Sequence, residues 1–179
     1  MKRYYSYENF RNDTGKLILE VRTFEAEAII AVARGGLTLA HCMAEGLNIR
    51  DVQSIRTELY DNTCKREELS LFGECSLKGV KKVLVVDDIA DSGETLDFIM
   101  NYLKENFPHV AFKSCALFYK KSSICEPDFW INEANVWVEF FWEKDFKYLS
   151  KKNTNYQKLK KVTNARQKLA KATGSFKSF

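Results

Sequence analysis

Apolar residues fall in short unbroken runs along the chain. Ala28 to Val32 is one such run, closed by Arg34-Gly35-Gly36, after which Leu37, Leu39, Ala40, Met43, Ala44 and Leu47 recur at helical spacing. That order predicts a buried strand, a glycine turn and an amphipathic helix. The pattern returns at Val83-Leu84-Val85-Val86, followed by a loop from Asp87 to Thr95 and by Leu96, Ile99, Met100 and Leu103 on one helical face. A further strand is expected from Ser114 to Phe118. Strands apolar on both faces belong in a sheet covered by helices on either side. The expected fold class is therefore α/β, with a mostly parallel central sheet and right-handed crossovers.

Between these units Ser54 to Tyr60 alternates like a strand, and Asp61 to Gly79 is a long polar excursion, read as a mobile lid or a loose hairpin. Val136 to Trp142 is aromatic and β-branched and predicts a short strand. From Lys144 onward stand 11 Lys or Arg and one acidic residue, leaving 17 basic against 23 acidic before it, so a body near −6 carries a tail near +10. Tyr156, Leu159 and Val162 hint at a weakly amphipathic helix in that tail. Its plain reading is a solvated C-terminal extension; without aromatic interleaving or a named motif, a nucleic-acid partner is not expected.

Composition narrows the class without choosing a function. At 179 residues, 45% hydrophobic and 29% charged, the chain suits one domain with its own core. Met1 to Phe10 lacks the apolar core of a signal peptide and no run is long enough to span a bilayer, so the cytoplasm is the expected location. Cys42, Cys64, Cys75, Cys115 and Cys125 are odd in number and form no C-x-x-C pair, which argues for reduced thiols over a disulfide framework or a zinc site. His41 and His109 have no ligand or triad partner at useful spacing. Chemistry must come from other side chains.

The carboxyl ends of parallel strands are where ligands bind, and Asp87 to Thr95 follows such a strand. Asp91-Ser92-Gly93-Glu94-Thr95 offers backbone N–H groups, a glycine for close approach and two hydroxyls at a helix start, which suits a phosphate monoester. Asp87 and Asp88 just before it would repel that phosphate unless something lay between; a ribose, donating its vicinal hydroxyls to the acids, fits that space. A simpler alternative is that Asp91 and Glu94 are only a helix-capping pair.

The run of four apolar residues, Asp87-Asp88, two more apolar residues and Asp91-Ser92-Gly93-Glu94-Thr95 resembles the phosphoribosyl pyrophosphate signature of type I phosphoribosyltransferases. The resemblance spreads over much of residues 28 to 143 and is nearest to the bacterial xanthine-guanine members. It implies the type I fold with a lid or hood at about residues 61–79, a catalytic domain over 1–146 and a basic helical extension over 147–179. Arg34, Gly35 and Gly36 resemble the loop that grips the leaving diphosphate. Asp87, Asp88, Ala90, Asp91, Ser92, Gly93, Glu94 and Thr95 would hold the phosphoribosyl group. Lys120 matches the lysine that donates to the purine O6. Trp137-Val138-Glu139-Phe140-Phe141-Trp142 is similar to a segment whose first Trp stacks on the base, with Ile89 and Val138 alongside, and whose Glu helps hold Mg²⁺. The chain departs from the family pattern at Leu59 before Tyr60, at Glu94 and at Phe140-Phe141.

The resemblance thus implies an enzyme that moves the phosphoribosyl group to a 6-oxopurine, with Mg²⁺ partly held by Asp88 and Glu139, Asp91 as general base, and a homodimer or homotetramer. Two other readings remain at this stage. One is a phosphoribosyltransferase-like nucleotide sensor that binds RNA through its tail. The other is a pyrimidine transferase, which would have no use for Lys120 and Trp137.

Overall fold

The computed structural model describes residues 2–60 and 68–147. Among these residues it contains two compact units, one from Tyr7 to Trp137 and one formed by Lys2–Ser6 with Val138–Lys147. The larger unit begins with α1 (Tyr7–Val21), continues through β2 (Ala28–Ala33), α2 (Gly36–Leu47), β3 (Asp51–Tyr60), β4 (Glu68–Phe72), β5 (Lys82–Ala90), α3 (Glu94–Asn106) and β6 (Ala111–Tyr119), and ends with β7 (Phe129–Glu133). The strand before α1, β1 (Lys2–Tyr5), belongs to the smaller unit with β8 (Trp137–Phe140) and α4 (Phe141–Lys147).

The main sheet has the order β4-β3-β2-β5-β6-β7, and every pairing but β3 with β4 is parallel. Ala28, Ile30, Val32, Val83 and Val85 send their side chains into a core with Leu96, Ile99, Met100 and Leu103 of α3. The alternate residues Ile29, Ala31, Leu84 and Val86 are also fully buried. Leu39, Ala40 and Met43 of α2 are buried as well, and Met43 Sδ lies 3.7 Å from Cys115 Sγ of β6. Both strand faces are thus covered, which is why their sequences show no polar alternation. The chain runs from β2 outward to β3, then returns to β5 beside β2 and proceeds the other way. The switch point of the sheet therefore lies between the carboxyl ends of β2 and β5, where ligands of open α/β sheets bind.

Three local expectations change in the folded chain. Asp87 to Ala90 belong to β5 and are not loop: pairing of Asp87 with Ala116, Ile89 with Phe118 and Ala90 with Tyr119 extends the strand past the acids. The loop proper is only Asp91 to Gly93. The strand predicted to reach Trp142 ends at Phe140, and Phe141 and Trp142 open α4 instead. At this junction Trp142 stacks on Phe140 at 4.5 Å and meets Phe141 edge-on at 4.9 Å. The strand expected over Ser114–Phe118 is longer, Ala111–Tyr119. The excursion after Tyr60 contains β4, antiparallel to β3, so its described part is a hairpin arm; residues 61–67 and the basic tail beyond 147 lie outside the described residues.

Helix α1 has no strong sequence signal because its buried face carries Asp13 and Thr14 among Phe10, Leu17 and Val21. Asp13 accepts a hydrogen bond from the Asn132 amide of β7 at 2.9 Å and one from Lys16 at 2.9 Å. A buried carboxylate is tolerable only when paired in this way. Among the described residues Cys42, Cys75, Cys115 and Cys125 are free thiols, and no helix is long and apolar enough to cross a membrane.

Candidate active site

Two segments meet at the switch point. The first leaves β2: the Ala33–Arg34 peptide is cis, and Gly35 and Gly36 lead into α2. These glycines press against β5. A Cβ on Gly35 would stand 2.6 Å from Asp88 Cγ, and one on Gly36 would stand 2.9 Å from Asp87 Cα and collide with the Val86 carbonyl oxygen. Only glycine lets this turn lie directly on the acid pair.

The second segment is the end of β5 and its loop. Asp88 is buried and Asp87 half-buried, and Asp87 Oδ1 accepts the Asp88 N–H at 2.9 Å. Burial pushes the Asp87 carboxyl well above its ordinary pKa, and the neighbouring Asp88 carboxylate raises it further. Two acids crowded out of water in this way bind what restores their charge: hydroxyl donors or a hard cation. Their oxygen donors suit Mg²⁺, which keeps waters and substrate oxygens and needs few protein ligands. Among the described residues no cluster of three metal-ligating side chains occurs, so any such ion would be held largely by substrate and water.

The chain then turns through Ser92 and Gly93 into α3. Gly93 adopts φ +84°, in the left-handed region, and occupies the N-cap position without a side-chain cap. Ser92 Oγ accepts the Glu94 N–H at 3.4 Å. The alternative of an Asp91–Glu94 capping pair is not what forms: α3 begins at Glu94 and its N-cap is Gly93. The first N–H groups of α3, Thr95 among them, have no carbonyl partner within the helix. With Asp87, Ile89, Ala90, Asp91, Ser92, Gly93, Thr95 and Leu96 they line a cavity of about 120 Å³, open to an anion.

Asp91 turns away from the helix toward Lys120, which follows β6, and its Oδ1 lies 2.8 Å from the Lys120 ammonium. Both side chains are about half exposed, so the pair is open to a ligand. Trp137 is 63% exposed and Val138 is buried. Glu139 sits in the smaller unit, where Lys2 at 3.0 Å and Lys144 at 3.6 Å hold its carboxylate. The Lys2 hydrogen bond, with Lys144 nearby, keeps the Glu139 pKa below the ordinary value. The structure therefore brings together Arg34, Gly35, Gly36, Asp87, Asp88, Ile89, Ala90, Asp91, Ser92, Gly93, Glu94, Thr95 and Lys120 at one end of one sheet. The turn after Lys120 also belongs to this end and has no sequence signal: Ile124 N–H donates to Ser92 O at 2.9 Å.

A glycine turn, an acid pair and an anion cradle meeting at the switch point of a parallel sheet define an α/β domain whose site has the chemistry to suit a sugar phosphate. Residues 5–149 match the phosphoribosyl transferase domain family, and the chain belongs to it. It is 31% identical over 151 residues to the xanthine-guanine phosphoribosyltransferase of Idiomarina loihiensis, covering 82% of this chain and 89% of that protein. Among solved structures, the Helicobacter pylori xanthine-guanine-hypoxanthine phosphoribosyltransferase superposes with a TM-score of 0.78 at 35% identity, over 83% of this chain and 98% of that one. A purine phosphoribosyltransferase from Pyrococcus horikoshii gives a TM-score of 0.71 at 26% identity, over 79% and 94% of the two chains. The fold is that of the type I phosphoribosyltransferases, and the protein is an enzyme of this class.

Proposed function

We propose that this protein transfers the phosphoribosyl group of phosphoribosyl pyrophosphate to a 6-oxopurine, releasing diphosphate and forming the nucleoside monophosphate. The observation that carries the reading is the Asp91–Lys120 pair, half exposed beside the phosphate cradle. On a 6-oxopurine, O6 and N7 lie side by side on one edge. An ammonium that donates to O6 and a carboxylate that accepts from N7–H match that edge, and an amino group at C6 would meet a donor with a donor.

In this reading the Ser92–Thr95 cradle holds the 5′-phosphate, Asp87 and Asp88 accept from the ribose hydroxyls, and Arg34 with the Gly35–Gly36 turn holds the diphosphate. The purine N9 lone pair forms the bond to C1′ while the bond from C1′ to the diphosphate oxygen breaks, with positive charge growing on the ring as in glycoside cleavage. The acid pair beneath the ring stabilises that charge. The proton of the 7-H tautomer passes from N7 to the Asp91 carboxylate, which acts as general base. Mg²⁺ would supply charge neutralisation for the diphosphate; Asp88 would hold it, with Glu139 a further candidate oxygen donor. Ile89 and Trp137 would flank the base. The segment at about 61–79 acts as lid, residues 1–146 form the catalytic domain, and 147–179 a basic extension. A homodimer or homotetramer suits the class, and charged phosphorylated substrates that cannot cross a bilayer unaided suit the cytoplasm. Nothing in the described site favours a sensor that dispenses with catalysis.

The test is nucleotide formation from phosphoribosyl pyrophosphate and Mg²⁺ with xanthine, guanine, hypoxanthine, adenine and orotate in parallel. Turnover with oxopurines is expected, falling by about 10²-fold or more in Asp91→Asn, the usual weight of a general base. Absence of turnover with every base, despite saturable binding of phosphoribosyl pyrophosphate, would overturn the reading.

A further inference from the structure

We infer that the turn Lys120–Cys125 is a strap joining the base-binding lysine to the phosphate cradle, and that Ser123 is the residue that positions both. The inference rests on the function proposed above. It starts from a space: a Cβ on Gly93 would collide with Ser123 Oγ and stand 2.7 Å from the Cys125 nitrogen and 3.1 Å from that of Ile124. The strap therefore lies directly on the left-handed glycine of the cradle. It is also hydrogen-bonded on both sides of Asp91, to the end of β5 and to the loop, since Lys120 N–H donates to Ala90 O at 3.1 Å and Ile124 N–H to Ser92 O at 2.9 Å.

Ser123 holds this segment in shape. Its N–H donates to Lys120 O at 2.8 Å and closes the turn. Its hydroxyl donates to Cys125 O at 2.9 Å and accepts from the Cys125 N–H at 3.4 Å. Beyond the strap the chain is pinned again, because Asp128 Oδ2 accepts from Ser114 N–H at 2.8 Å and from Ser114 Oγ at 3.0 Å, while Asp128 N–H donates to Ser114 Oγ at 3.1 Å. A short segment anchored at its far end thus carries Lys120 at its near end and bears on Ser92 and Gly93 in its middle. Loosening the middle displaces both the cradle and the lysine, although Ser123 itself is assigned no contact with substrate.

The experiment compares the full-length protein with Ser123→Ala and Ser123→Thr, alone and in a Lys120→Met background, by initial rates with phosphoribosyl pyrophosphate and an oxopurine. Loss of the hydroxyl is expected to raise KM for both substrates, by about fivefold taken together, the weight of one net hydrogen bond, with kcat within about twofold. Thr, which keeps the hydroxyl, restores both values. In the Lys120→Met background Ser123→Ala raises KM for phosphoribosyl pyrophosphate alone, because the lysine through which it acts on the base is gone. Unchanged KM values, a loss confined to kcat, or a base effect that persists without Lys120 would overturn the inference. Ribose 5-phosphate binding by calorimetry separates it from the transferase reading: weaker binding in Ser123→Ala supports the clamp on the cradle even if no base turns over, and equal binding sinks the clamp while leaving the transferase intact.

Discussion

Gly35 and Gly36 are adjacent, yet a methyl group at each meets different matter, and the two substitutions should separate activity from stability. Gly35 has φ −54° and ψ −50°, a backbone open to alanine. Its new Cβ would stand 2.6 Å from Asp88 Cγ, a crowding relieved only when the carboxyl moves. Carbon atoms rest about 3.5–4.0 Å apart, so a displacement on the order of 1 Å is needed. A side-chain end can yield at about 0.5–1.5 kcal/mol by leaving its rotamer. Replacing glycine at a compatible backbone returns about 0.4–1 kcal/mol. Gly35→Ala should therefore leave stability within about 1 kcal/mol of wild type, while a misplacement on the order of 1 Å beside the reacting groups costs roughly 10²-fold in kcat/KM.

At Gly36 the obstacle is backbone: Asp87 Cα at 2.9 Å and the Val86 carbonyl carbon at 3.0 Å. Val86 is held between Ala31 of β2 and Cys115 of β6, so the strand cannot step aside. Overpacking against such a wall costs about 1–3 kcal/mol. For a chain of this size that is a melting temperature lower by roughly 2–12 °C. Calorimetric melting and kcat/KM for nucleotide formation measure the two effects. A fully active Gly35→Ala, or a Gly36→Ala that melts with wild type, would refute the reasoning.

Two further predictions follow from groups placed away from water. Asp87 has a raised pKa in the folded protein because of burial and then the Asp88 carboxylate, so folding loses stability as pH rises from the ordinary carboxylate range, about 4, through that raised value. Asp87→Asn removes the loss: its melting temperature should gain on wild type across that window while transfer activity falls, and parallel pH profiles would contradict it. Asp13→Ala strands the Asn132 amide, whose remaining acceptor is Leu117 O at 3.4 Å, and should cost about 1–3 kcal/mol in denaturant unfolding. Adding Asn132→Ala should cost little more, because the two act as one unit; full additivity would show they are independent.

Local periodicity along the chain encodes the layer plan of this fold. The runs Ala28–Val32 and Val83–Val86, each followed by an amphipathic helix, require a covered parallel sheet, because residues apolar on both sides of a strand have nowhere else to go. The stretch from Asp87 to Thr95 offered its chemistry out of neighbouring residues, since acids, glycine and hydroxyls at a helix start suit a sugar phosphate. Only the tertiary structure decided the rest. Helix α1 became a helix with a buried Asp13 because Asn132, far along the chain, supplies its partner. Pairing with β6 drew Asp87 to Ala90 into a strand against their local polarity. The order of strands set the Gly35–Gly36 turn on Asp87 and Asp88, and β6 delivered Lys120 to Asp91 and the Ser123 turn to Gly93. Those meetings join residues tens of positions apart, and their energy comes from burial and hydrogen bonds that exist only once the sheet has formed.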